Sequence, residues 1–135
     1  MTYVRAKLSK KNKYWISSYR YHELRYFCLQ YSEYRRLCGS FDGYSRNNYS
    51  SIYTGNLSKP TEKSAEIREA YDCKIRTIEK AAKLTDPILG NYILVGVTNG
   101  LAYDKIKARL DIPCGKEVYY KLYHKYFYIL DRLLR

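Results

Sequence analysis

The chain lacks most of the signatures that would point to chemistry. It has no GxxxxGK[ST], no HExxH and no GxSxG. His22-Glu23 and the scattered aspartates form no paired acid constellation, so general acid–base catalysis has no candidate pair. Its four cysteines, Cys28, Cys38, Cys73 and Cys114, include no CxxC pair, and the two histidines, His22 and His124, complete no zinc spacing. The expectation is a non-enzyme with no metal and no cofactor. A cysteine nucleophile would need a histidine neighbour; Cys114 at a helix start is only a weak signal of a lowered thiol pKa.

Other absences bound where the chain works. No apolar run approaches the roughly 20 residues of a membrane span. The opening MTYVRAKLSKKNKYW is basic but lacks the apolar centre of a signal peptide. Well-separated cysteines without such a peptide read as reduced, cytosolic thiols, which is the expected compartment. No segment alternates long enough to force a sheet, and no internal repeat is visible. The fold class read from the sequence is therefore all-α, a small domain of about five helices.

What is present is positive charge and tyrosine. The net charge is +12 over 135 residues, with 18 tyrosines. Such a charge favours a polyanionic partner, nucleic acid before an anionic membrane. Residues 1–60 hold 11 Lys and Arg against 3 Asp and Glu; residues 61–135 hold 14 against 10. The first half is the richer seat for phosphate contacts. Residues 1–16 read as a basic arm, with Lys10, Lys11 and Lys13 as backbone-following contacts. Residues 17–135 read as a single helical domain.

Ser17 and Ser18 can cap a first helix running to about Cys38, with Gly39 as its stop. Leu24, Phe27, Cys28, Tyr31, Tyr34 and Cys38 would share its inner face. Residues 39–59 read as a long Gly-, Ser- and Asn-rich loop. Ser58 and Pro60 suit the start of a helix carrying Ile67, Ala70, Tyr71, Ile75, Ile78, Ala81 and Ala82 on one face. Asp86-Pro87 begins an apolar, central helix that Gly100 ends. The connection IPCG then separates a short helix, LAYDKIKARLDI, from the last one, KEVYYKLYHKYFYILDRLLR.

Residues 100–135 have the layout of a helix-turn-helix: Ile106 and Leu110 hold the first helix, Ile112 packs the turn, and Val118 and Leu122 lock the second. On the last helix, Val118, Leu122, Tyr126, Ile129 and Leu133 form the expected inner stripe. Tyr123, Phe127, Leu130 and Leu134 form a second apolar stripe, to be covered by the first helix or by a second copy of the chain. The DNA-facing set is then Lys116, Tyr119, Tyr120, Lys121 and His124 on the last helix, with Tyr128 left beside it. Lys105, Lys107 and Arg109 on the short helix would grip the backbone.

On Gly100, Tyr103, Ile106, Leu110, Ile112, Val118, Leu122 and Leu130, this segment resembles region 4 of sigma factors. It also resembles the sigma-like C-terminal domains of small phage late-transcription regulators of the RinA and ArpU type. More loosely, HELRYFCLQYSEYRR, GNLSKPTEKSA and IPCGKEVYY resemble stretches of prophage-encoded proteins of Gram-positive bacteria. The sigma likeness covers about the last 40 residues. IPCGKEV has one residue more between Ile112 and Val118 than that pattern, and Cys114-Gly115 replaces its Ser or Thr cap. The resemblance implies a phage transcription regulator that binds duplex DNA through its last helix, beside host RNA polymerase, with a homodimer suiting half-site recognition. The alternative is a prophage-encoded inhibitor of a host or defence nuclease complex, anti-CRISPR-like, using its tyrosines as interface anchors.

Overall fold

The computed structural model describes residues 10–39 and 62–135, and among them it contains helices and turns but no strand. The all-α class expected from the sequence is the class observed. The helices are α1 (Ser18–Leu29), α2 (31–39), α3 (Glu62–Thr85), α4 (Gly90–Asn99), α5 (Tyr103–Leu110) and α6 (Lys116–Leu134). The expected loop over 39–59, the Ser58 cap, Pro60 and the first nine residues of the basic arm lie outside the described residues, apart from Gly39 itself.

The chain divides into two compact units. One comprises the described parts of Met1–Gln30 together with Thr77–Arg135; the other comprises those of Tyr31–Arg76. α3 contributes its residues through Arg76 to the second unit and the remainder to the first.

The first unit is built on α1, α4, α5 and α6, which pack on one another, with the end of α3 beside them. Ser17 caps α1 as expected, its Oγ accepting from Arg20 N at 3.2 Å. That helix does not run to Cys38: it stops at Gln30, whose N–H turns back onto Cys28 O and Phe27 O, and helical backbone resumes over 31–39. Asp86-Pro87 does not begin α4, which starts at Gly90; Asp86 instead organises the turn before it by accepting from the N–H groups of Ile88 and Leu89, at 2.8 and 2.7 Å. Those two hydrogen bonds hold its carboxyl below the ordinary carboxylate range. Gly100 ends α4 at φ 67°, a left-handed position that glycine occupies without steric penalty.

Both ends of α4 are thus set by local chemistry. The next helix end is Asp111, which ends α5 at φ 51° and is the one non-glycine with positive φ among the described residues. Aspartate tolerates this region better than most residues. The turn over 111–115 then buries Ile112 completely and delivers the chain to α6.

The core of this unit is Leu24 and Cys28 from α1, Ile78 and Ala81 from α3, Ile93 and Val97 from α4, and Ile106 from α5, closed over by α6. Gly96 is where α4, α5 and α6 meet: a Cβ there would collide with Tyr119 Oη and come within 2.8 Å of Ile106 Cδ1. In the second unit, Tyr34 of α2 is buried, its ring 6.0 Å from that of Tyr71 on α3, and Cys38 Sγ lies 3.8 Å from Arg68 O. Ala70, expected on the inner face of α3, is exposed.

Candidate nucleic-acid interface

The last helix buries a different face from the one expected. Its interior residues are Tyr119, Tyr120, Tyr123, Tyr126, Phe127, Leu130 and Asp131. Of the expected inner stripe only Tyr126 is buried; Val118 is 48% exposed, and Leu122, Ile129 and Leu133 are half-buried. The tyrosine stripe looks inward, and the aliphatic stripe lies on the flank of the helix, half-buried apart from Val118.

Tyr120, Tyr123 and Tyr126 can be interior here because their hydroxyls find partners. Tyr120 Oη accepts from Tyr103 N at 3.0 Å. Tyr123 Oη pairs with Tyr21 Oη at 2.7 Å. Tyr126 Oη donates to Ile78 O at 3.2 Å and lies 3.5 Å from Cys28 Sγ. A buried hydroxyl without a partner would cost free energy; with one, the large ring area is a net gain. The rings also meet edge to face: Tyr119 on Tyr120 at 4.9 Å, Tyr123 on Phe127 at 5.1 Å, and Tyr21 of α1 on Phe127 at 5.2 Å.

Two expectations are corrected by this arrangement. Tyr119 and Tyr120 are not at a DNA-reading surface, because both point into the seam between α6 and the α4–α5 corner. Tyr123, Phe127 and Leu130 are not available to a second copy, because their own chain covers them, with Tyr21 of α1 against the first two; of that stripe only Leu134 is exposed.

The cationic positions divide into two groups. Lys107 and Lys116 serve the corner itself: Lys107 Nζ lies 3.1 Å from Asp111 Oδ1 and donates to Ile112 O at 3.2 Å, while Lys116 Nζ lies 3.6 Å from Asp104. The hydrogen bond and charge of Asp111 raise the Lys107 ammonium above its ordinary pKa. Tyr103 adds the remaining tie, its Oη donating to Cys114 O at 2.6 Å. Lys105, Arg109 and Lys121 are different: all are exposed, and none has a carboxylate within ion-pair distance among the described residues. Lys10, Lys11 and Lys13 are exposed as well, while His124 is half-buried against the Tyr123 ring at 5.8 Å.

The structure therefore brings Glu117, Val118, Lys121, Leu122 and Lys125 to the outer side of the first half of α6. Lys125 was missed as a candidate. Its spacing of four from Lys121 carried the signal, but that signal is readable only once the outward face is known. Cys114 gains no activated-thiol character, since burial pushes its pKa up despite nearby Lys107. Among the described residues no group of His, Cys, Asp and Glu could hold a metal ion, and no helix is long and apolar enough to cross a membrane. No protein-family model, no curated protein and no solved structure matches the chain.

Proposed function

We propose that the chain binds duplex DNA through the outward face of α6, as a phage-type transcription regulator acting beside host RNA polymerase in a bacterial cell. The observation that carries this reading is the set Lys105, Arg109 and Lys121: exposed cations without carboxylate partners among the described residues, on a short helix, a tight turn and a longer helix. The corner that presents them is rigid, because Tyr103, Ile106 and Ile112 are interior and Tyr103 bonds both Cys114 and Tyr120. A recognition helix works this way, with its N-terminal residues on base edges and the preceding helix on the backbone.

The chemistry suits the residues that face outward. Lys121 and Lys125 can donate to guanine or to phosphate, and Val118 and Leu122 can pack on thymine methyl groups. Lys105 and Arg109 would supply sequence-independent phosphate affinity.

The test is binding to random-sequence duplex, single-stranded DNA and structured RNA across a salt series. The expected result is duplex binding whose log affinity falls steeply with log salt. Replacing Lys105, Arg109 and Lys121 by alanine should lower that slope by about 2.7, at about 0.9 per phosphate contact. An unchanged slope, or no wild-type binding near physiological salt, overturns the reading. The second reading, an inhibitor that docks on a protein complex, draws on Leu84 and Ile88, which are 52% and 75% exposed near the α3–α4 connection. Absence of all nucleic-acid binding would bring it forward.

A further inference from the structure

Among the described residues, several exposed cations are held in one of two ways. Some sit against carboxylates: Arg36 against Glu33 at 2.5 Å, and Arg76 against Asp72 at 2.8 Å and Glu69 at 2.9 Å. Such pairs cancel the charge they position. Others sit over aromatic rings, which orient a cation through the ring quadrupole and leave its full charge in place. Lys13 Nζ lies 5.1 Å from the Tyr14 centroid, Lys10 Nζ lies 6.0 Å from the Trp15 centroid, and the Arg132 guanidinium lies 5.7 Å from the Tyr128 centroid.

The two outer members of this set are joined. The rings of Tyr14 and Tyr128 are in contact at 5.5 Å, so Lys13, Tyr14, Tyr128 and Arg132 form one continuous chain of cation, ring, ring and cation. Arg132 is fixed further by donating to Tyr128 Oη at 3.2 Å. The arm residue is fixed too, since Tyr14 N donates to Asn12 Oδ1 at 2.8 Å in a turn closed by Trp15 N on Asn12 O at 3.0 Å. The nearest acid on α6, Asp131, is buried and already engaged by Arg20 and Arg135.

This cluster lies on the same side of α6 as Lys121. The sequence Lys121, Lys125, Tyr128, Arg132 steps by four, three and four, which keeps all four within about 60° of the helix circumference at 3.6 residues per turn. From Lys121 to Arg132 the stripe is about 16.5 Å long at 1.5 Å per residue. A phosphate strand advances about 3.4 Å per nucleotide, so the stripe matches about five phosphates.

Resting on the duplex-binding reading above, we propose that Lys13 and Arg132, held by Tyr14 and Tyr128, form a second phosphate-backbone contact, so that duplex DNA lies along the whole outward face of α6 and onto the basic arm. The partner is the duplex backbone, matched by charge and by length, and this contact carries affinity without sequence preference.

The experiment compares the salt dependence of random-duplex binding for the wild type, Lys13→Gln/Arg132→Gln and Arg36→Gln/Arg76→Gln, each checked for helicity by circular dichroism. Both double variants remove two positive charges, but only the first removes ring-held ones. The expected result is a slope lower by about 1.8 for Lys13→Gln/Arg132→Gln, for two contacts at about 0.9 each, and an unchanged slope for the control. Wild-type slopes in Lys13→Gln/Arg132→Gln, or equal losses in both variants, overturn this inference while leaving the α6 reading intact. No duplex binding by the wild type overturns both. If the first variant loses helicity, the single variants Lys13→Gln and Arg132→Gln are read instead, each expected to lower the slope by about 0.9; an unchanged slope in either overturns the inference.

Discussion

The Arg20 guanidinium meets the Asp131 carboxylate at 2.5 Å, joining the first turn of α1 to the last turn of α6 across 111 residues of sequence. The carboxylate is buried and also accepts from Arg135 at 3.1 Å, while Arg20 reaches Glu23 at 3.0 Å. Burial alone would raise the Asp131 pKa; the hydrogen bonds from Arg20 and Arg135 outweigh it, and the carboxyl is held below its ordinary value.

That balance sets an acid limit. A carboxyl whose folded pKa is depressed stabilises the fold above its unfolded value, about 3.9, and loses that contribution as pH falls through the folded pKa. Asp86 shifts the same way. Urea midpoints should therefore hold steady from neutral pH to about 5 and decline below about 4. Asp131→Asn should cost about 2 kcal/mol at pH 7, the range of a hydrogen bond to a charged group, and should flatten part of the acid decline. A variant as stable as wild type at pH 7 would show that the ion pair contributes nothing net.

Gly96→Ala should destabilise the first unit although alanine is the better helix former. The added methyl meets Tyr119 Oη and Ile106 Cδ1, both from fully buried side chains with little room to retreat. Overpacking of this kind costs about 1–3 kcal/mol. A matched substitution at Gly115, whose Cβ would meet nothing within 4 Å, should fall well below that. Thermal melts of the two variants make the comparison; equal midpoints would contradict the close approach at Gly96.

The thiols should separate by reactivity. Cys73 is exposed, whereas Cys28 is buried beside Tyr126 and burial pushes its pKa up to about 12. A native-state titration with an aromatic disulfide reagent at pH 8 should label Cys73 rapidly and leave Cys28 unmodified until denaturant is added. Peptide mapping of the labelled sites decides it, and early labelling of Cys28 would mean that the α1–α6 seam opens readily.

The helical class, the Ser17 cap, the Gly100 end of α4 and the break between α5 and α6 were all legible in the chain, because each depends on residues within one or two turns; Asp86-Pro87 marked only the turn before α4, which begins at Gly90. The stop at Gln30 was not: an apolar stripe continues from Leu24 through Tyr34 and Cys38, and periodicity does not register a one-residue interruption. Exposed Lys105, Arg109 and Lys121 stood where the sequence placed them, at positions a solvated face would hold in any packing.

The orientation of α6 belonged to tertiary structure alone. Its sequence has two apolar stripes about a quarter-turn apart, one aliphatic and one aromatic, and hydropathy ranks the aliphatic one as the inner. The aromatic one takes the interior because two distant groups, Tyr103 N and Tyr21 Oη, accommodate the hydroxyls of Tyr120 and Tyr123, while Tyr126 stays buried with its hydroxyl on Ile78 O. With those polar ends satisfied, the larger ring areas win the interior. The sequence by itself determined which segments are helical and how strongly the chain is charged. Which face of the last helix meets the core, and so which lysines face outward, was decided only when the hydroxyls found groups up to 102 residues away.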